Sequence, residues 1–423
     1  MNNLLPAGWS ECSLNDVSSV VTKGTTPTTS GASYTQYGIK FIRVENISKD
    51  GHIDESDLKF IDHKTHQLLK RSQLHAGDLL VSIAGAIGRS AIVKENNLPA
   101  NINQAIGIVR LHNHEVIPEF VRFSIESPYI AKQINDSQAG NAQINLNLAQ
   151  LGGLKLYRPP LPEQKKIAAI LSSVDEVVEK TRSQIDKLKD LKTGMMQELL
   201  TKGIGHTEFK ESPVGWDCAL LEEVATIQTG IAKNSNSKGD MINVPYLRVA
   251  NVQDGYLDLT EIKYIEIDKG RLSRFSLQTD DVLVNEGGDF DKIGRGAIWK
   301  GLISPCVHQN HVFVVRTMKD QLLPEFFNYL SGSQYGKNYY LSCAKQTTNL
   351  ASLNSSQLKM FPVLLPSIAE QECICRTLGA IDDKQRLLEE KLAGKINIKK
   401  ALMQDLLTGK VRVNVDTREL ADA

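Results

Sequence analysis

The chain has 423 residues, 41% of them hydrophobic, a mean hydropathy of −0.23, and 49 basic side chains against 49 acidic ones. That length exceeds one ordinary core and points to two or three domains. Apolar runs such as FPVLLP at 361–366 fall far short of the ~20 residues a membrane helix needs, and MNNLLPAGWSEC lacks the features of a secretory signal, so a cytoplasmic protein is expected.

Residues 1–158 alternate short β-branched and aromatic runs with Gly, Asp and Asn turns. KFIRV, DLLVSIA, SAIVK and IGIVRL read as strands, and PEFVRFSIESPYIAKQI reads as one helix opened by a proline. The character changes over 159–205. From Glu163 to Thr201 there is no Pro, and Ile167, Val174, Thr181, Leu188 and Met195 recur every seventh residue. Between them lie Ile170, Val177 and Leu191, or their neighbours Leu171, Val178, Ile185 and Leu199, which makes a widened heptad stripe. Residues 206–362 return to the strand-and-turn texture with YLRV, DVLVN, GAIWK and HVFVV. Residues 363–410 repeat the helical pattern with Ile374, Ile381, Leu388 and Leu402, supplemented by Leu378, Leu392 and Leu406. Finally VRVNV at 411–415 alternates like a strand and is expected to return to the first domain.

The two halves are copies. PAGWSECSLNDV at 6–17 faces PVGWDCALLEEV at 213–224, and FIRVENISKDGHI at 41–53 faces YLRVANVQDGYL at 246–257. IGRSAIVK at 87–94 faces IGRGAIWK at 293–300, Gln104 is matched with Gln309, and MQELLTKG at 196–203 faces MQDLLTGK at 403–410. A period near 200 residues means a duplicated domain rather than a solenoid. Each long helix, at ~1.5 Å per residue over ~38 residues, reaches roughly 57 Å and cannot bury its stripe alone. The two are expected to pack on each other as an antiparallel pair, with a partner's helices as the alternative cover. The expected fold is α+β: two similar β-rich domains held apart by an antiparallel pair of long coiled-coil helices, pseudo-two-fold and cyclic.

The layout, together with PPLPEQKKIAAIL at 159–171, LRVANVQDGYLDL at 247–259 and the two QxLLT helix ends, resembles the specificity subunit of type I restriction-modification systems. The resemblance covers the whole chain. It implies a first target-recognition domain (1–158), a central conserved helix (159–205), a second recognition domain (206–362), a distal conserved helix (363–410) and a closing tail (411–423). It implies no catalysis by the chain. Each recognition domain would read half of a split, asymmetric double-stranded DNA site. The helices would set the spacing and recruit two methyltransferase subunits, and through them restriction/translocase subunits. S-adenosylmethionine, ATP and Mg would bind those partners, and this chain would hold no cofactor and no metal. GTTP at 24–27 matches the family's Gly-x-Thr-Pro loop, whereas the second copy reads TGIAK at 229–233.

Base reading needs paired donors and acceptors on loops and strand ends: Arg for guanine, Asn or Gln for adenine, Ser or Thr more loosely. In the first copy these are Thr25, Thr26, Arg43, Asn46, Ser82, Arg89, Asn103, Gln104, Gln143 and Asn145. In the second they are Arg248, Asn251, Asn285, Arg295, Gln309, Asn310, Gln346, Thr347, Thr348 and Asn349. Two half-sites differ in sequence, so residues shared by both copies (Arg43/Arg248, Asn46/Asn251, Arg89/Arg295, Gln104/Gln309) are expected to contact phosphate or brace loops. The divergent loops at 82–86, 140–147, 285–292 and 345–352 are expected to discriminate.

Rival readings are weaker. No Asp/Asn-Pro-Pro-aromatic loop, GxxxxGK[ST], HExxH or GxGxxG occurs, which speaks against a stand-alone DNA-modifying enzyme. Cys306, His308 and His311 lie close in sequence, but no second pair completes a zinc set. The balanced charge favours a coiled-coil adaptor with protein-binding ends, since a lone nucleic-acid binder usually carries a basic excess. Residues 206–362 are even slightly acidic, with 16 basic against 18 acidic side chains. The Asn/Gln/Thr/Arg-rich loops and the resemblance count the other way.

Overall fold

The computed structural model describes residues 5–112, 115–137, 145–203, 215–232, 239–288, 293–346 and 351–415. The chain divides into two compact units, residues 1–183 with 389–423, and residues 184–388. Each unit therefore takes one half of each long helix.

The first unit runs β1 (Ser10–Ser13), β2 (Ser18–Lys23), β3 (Ile39–Ile42), β4 (Lys59–Ile61), α1 (His63–Leu68), β5 (Leu79–Ser82), β6 (Ser90–Ile92), β7 (Ala100–Ile102) and β8 (Ile106–Leu111). An antiparallel sheet has the order β2-β8-β5-β6, and a second has the order β4-β3-β7 with β3 and β7 parallel. LLVS in β5 is wholly buried, which is why it reads as a continuous apolar run instead of alternating. Next come α2 (Pro118–Ile125), α3 (Pro128–Asp136), α4 (Leu148–Gly153), β9 (Lys155–Arg158), which pairs with β1, and the long α5 (Leu161–Leu199). The single helix expected from Pro118 is thus two. Pro128 cannot donate a backbone hydrogen bond, so the helix stops and restarts with Ser127 capping the Ile130 N–H.

The second unit repeats this plan with β10 (Asp217–Leu220), α6 (Leu221–Val224), β11 (Ala225–Thr229), β12 (Met241–Leu247), β13 (Lys263–Asp268), α7 (Leu272–Phe275), β14 (Val282–Asn285), β15 (Gly287–Gly288), β16 (Gly296–Ile298), β17 (Val307–His308) and β18 (Val312–Thr317). It continues through α8 (Pro324–Gly332), α9 (Gln334–Cys343), β19 (Lys345–Gln346), β20 (Ala351–Ser352), α10 (Ser355–Lys359), β21 (Pro362–Leu365) and the long α11 (Ile368–Leu406). Its sheets, β11-β18-β14-β16 and β13-β12-β17, mirror those of the first unit, and β15-β20-β19 is a small addition.

The sheet registers correct one sequence pairing. The Asn103 N–H bonds to Ile42 O (3.2 Å) as Gln309 N–H bonds to Leu247 O (2.9 Å). A Cβ on Gly24 would strike the Ile102 and Asn103 carbonyls, and one on Gly230 those of His308 and Gln309. Asn103 therefore corresponds to Gln309, and Gln104 to Asn310. A match of identical letters had shifted the alignment by one residue.

The Glu-Gln pair that opens each long helix is a socket. Trp9 Nε1 donates to Glu163 Oε2 at 3.2 Å, and Trp216 Nε1 to Glu370 Oε2 at 3.2 Å. The buried Gln164 amide accepts from Ile117 N–H (2.9 Å) and donates to the Glu115 and Pro159 carbonyls. Gln371 does the same with Leu323, Gln321 and Pro366.

Within the first unit α5 meets the end of α11 at Asp175–Lys399 (2.5 Å), and Glu163 meets Arg412 beyond it. Rising numbers on one helix thus meet falling numbers on the other. The second unit repeats this order, with Lys192–Asp382 at 2.5 Å and Gly203 against Glu370. The helices are antiparallel in each. Leu171, Val178, Ile185, Leu378, Ile381 and Leu388 are buried along the stripe, whereas Val177 and Leu191 are 40% and 50% exposed. The neighbours, not Val177 and Leu191, form the seam. Residues 411–415 form no strand. The tail is held to the first unit instead by Arg412 on the fully buried Glu163 and by Val413 against the core.

Candidate nucleic-acid interface

The candidate side chains fall into two groups. One is bonded inward. Asn46 is 3% exposed. It accepts from Arg43 N–H (2.9 Å) and donates to the Asp54 and Asp57 carbonyls. Asn251 repeats this with Arg248, Asp258 and Glu261. Ser82, fully buried, donates to Ala84 O, and Asn285 donates to Val252 O at 3.0 Å. These four are not presented to a base edge. Small polar residues at strand ends serve turns as readily as ligands, and here burial decides for the turn.

Arg43 is tied to Asp57 at 3.0 Å, Arg248 lies 3.9 Å from Glu261, and Arg89 donates to Ile47 O at 3.3 Å. Arg295 is half-buried on the turn before β16. Arg43, Arg248 and Arg89 thus hold loop carboxylates or carbonyls, one of the two roles expected of them.

The outward group is clustered. In the first unit Thr25 accepts from Arg71 Nη2 at 3.3 Å, and the Thr26 hydroxyl donates to Gln104 Oε1. Asn103 lies beside them with its side-chain oxygen buried. Asn145 joins Ala84 through an isolated backbone bridge. In the second unit Gln309 is half-buried, and Asn310 Nδ2 lies 3.2 Å from His311 Nε2. His311 Nδ1 bonds Glu286 Oε2. Gln346 contributes backbone to β19. Gln143, Thr347, Thr348 and Asn349 lie outside the described residues.

Arg71 was missed by the sequence reading, and so was Arg274. The bridges Gln73↔Asn101 and Ser276↔Val307 make the two arginines equivalent, and both are exposed beside the loop that follows the first strand of the large sheet. Aligning KRSQL with SRFSL would have found them.

The metal possibility dissolves into separate partners. His308 is buried, its Nδ1 is 2.7 Å from Val312 O, and burial depresses its pKa to about 4. Burial pushes the Cys306 thiol up to about 12. His311 is committed to Glu286. Among the described residues no group of three or more His, Cys, Asp or Glu could hold an ion.

Each unit also has a cleft between its recognition domain and its helix halves. In the first it measures about 730 Å³ and is lined by Asp50, Arg89, Glu126, Asp175, Arg182 and Lys399. In the second it measures about 690 Å³ and is lined by Lys192, Asp254, Tyr329, Lys337 and Asp382.

Comparison with known proteins places this geometry. The type I restriction modification DNA specificity domain matches residues 6–190 and again 213–397. The EcoKI specificity subunit of Escherichia coli K12 is 24% identical over 88% of this chain and 82% of its own length. The StySPI specificity subunit of Salmonella potsdam is 23% identical over 88% and 81%. A solved structure concerned with assembly and conformational transition of the type I restriction-modification system shares the fold, with a TM-score of 0.60 at 18% identity over 96% of this chain and 100% of that one. The chain belongs to the type I restriction-modification specificity subunit family.

Proposed function

We propose that this chain is the DNA-recognition subunit of a type I restriction-modification complex, each unit reading one half of a bipartite, asymmetric site. The supporting observation is that two units with the same sheets and sockets carry different outward loops. Thr25, Thr26, Arg71 and Gln104 line one, and Arg274, Gln309, Asn310 and His311 the other. A common scaffold with divergent tips is what two unlike half-sites require. Phosphate contacts would come from exposed cations such as Arg71 and Arg274, and base contacts from the amides and hydroxyls.

The antiparallel helices act as scaffold and ruler. Two methyltransferase subunits would carry S-adenosylmethionine, restriction/translocase subunits would carry ATP and Mg, and the complex would work in the cytoplasm. The chain supplies recognition and no catalysis. Its neutral charge suits this division, because basic surface on partners can supply the non-specific DNA affinity.

Methylome sequencing of cells carrying this chain with its methyltransferase partner tests the reading. One split motif, lost when the chain is deleted, is the expected result. Methylation that persists without the chain, or a motif of one uninterrupted block, would overturn it.

A further inference from the structure

Both units place a carboxamide at the same point of the same turn. Gln104 stands two residues after β7 and two before β8, and Asn310 two residues after β17 and two before β18. The amides differ in how they are held. Thr26 donates its hydroxyl hydrogen to Gln104 Oε1, which fixes the amide while a second Oε1 lone pair and the Nε2 hydrogens remain to be presented. In the second unit the contact is at the other end of the amide. Glu286 only accepts, so His311 Nδ1 carries the hydrogen, and Nε2 is left to accept from Asn310 Nδ2 at 3.2 Å. Asn310 then offers Oδ1 and its second N–H side by side.

The relay belongs to one unit. The bond from Ile83 N–H to Ala105 O (2.9 Å) in the first corresponds to that from Glu286 N–H to His311 O (3.0 Å) in the second. An apolar pair thus stands where the other unit has a carboxylate and an imidazole.

We infer that this carboxamide reads one base pair in each half-site and that its anchor holds the amide edge for adenine: His311 and Glu286 hold Asn310, and Thr26 holds Gln104. An acceptor beside a donor matches adenine N6–H and N7. His311 and Glu286 are positioning residues. The inference rests on the DNA-reading function proposed above.

The test is selection from a duplex library, randomised over both half-sites, by the chain in complex with its methyltransferase subunits. Asn310→Ala should cost about tenfold to a hundredfold in preference for adenine at one position. His311→Ala and Glu286→Gln should relax that same position several-fold, and His311→Gln, whose Oε1 can accept from Asn310, should restore it. Thr26→Val should relax one adenine in the other half-site only. Unchanged base preferences, or a uniform loss of affinity across all sequences, would overturn the inference. A wild-type complex that selects no bipartite motif would overturn the DNA reading itself, which is a separate result.

Discussion

The two units solve one packing problem with different chemistry. In the first, α2 presents Arg122 and Glu126 to the long helices. Arg122 bonds Asp175 at 3.0 Å and Glu126 at 3.1 Å, and Lys399 bonds Asp175 at 2.5 Å and stands over the Phe123 ring. In the second, Asn328 and Gly332 occupy the places of Arg122 and Glu126. There Tyr329 donates to Asp382 at 2.8 Å, and Lys192 completes the pair. The shared element is the Lys–Asp bond across the helices. An aromatic ring 5.5 Å from the lysine is kept in both units as well, while the Arg and Glu beside it have been replaced. Identity marks what the fold needs, and difference marks where each unit was free to change.

Four measurements would break or sharpen this comparison. Asp175→Ala leaves Arg122 and Lys399, both largely buried, with Glu126 as their one shared carboxylate, and should destabilise the first unit by about 3 kcal/mol in urea unfolding. Asp382, with 38% side-chain exposure, should cost about 1 kcal/mol when replaced by Ala. Equal losses would contradict the contrast.

The next effect is pH-dependent. His308 is kept neutral by burial with a pKa lowered to about 4, and Ile102 holds the same place in the first unit. A base with a depressed folded pKa contributes its full share above the unfolded value and loses it as pH falls. The second unit should therefore lose about 3 kcal/mol between pH 6.5 and pH 4, and His308→Leu should flatten that slope. A slope that persists in the variant would assign it elsewhere.

Gln164→Ala and Gln371→Ala each orphan a buried N–H and two carbonyls. They should cost about 2 kcal/mol apiece, nearly equally, because the sockets match. Truncation after Lys410 removes Arg412 from Glu163, and about 1–2 kcal/mol should be lost from the first unit by thermal unfolding.

Much of the architecture was legible because it is written in period and repetition. Heptads gave both long helices, and the copy-to-copy match gave the two domains. Where the reading slipped, local identity was ambiguous. Val177 and Val178 satisfy the same stripe, and only the partner helix chooses between them. Gln309 looked like Gln104 by its letter, yet strand register pairs it with Asn103. The tail alternates as a strand would, but the Arg412–Glu163 ion pair holds it without a ladder. The site was half visible. Residue type picked out Thr26, Gln104 and Asn310, which lie on the outward loops. It could not separate them from Asn46, Asn251, Ser82 and Asn285, whose fate is decided by burial that no single sequence displays. Arg71 and Arg274 lie at short helices outside the loops rich in Asn and Gln, and His311 stood out only as a possible metal ligand beside Cys306 and His308.

The Glu-Gln socket carries one more consequence. Glu163 and Gln164 grip their domain through one indole, one backbone N–H and two carbonyls, and Glu370 and Gln371 do likewise. Apart from the tryptophan, none of those contacts depends on side-chain identity within the gripped domain. A foreign domain that keeps this tryptophan and turn should keep this grip on the helix start, and only the Arg122–Asp175, Asp50–Arg182 and Tyr329–Asp382 contacts farther along would need matching. The join between domain and helix is in that sense a fitting written mostly in backbone.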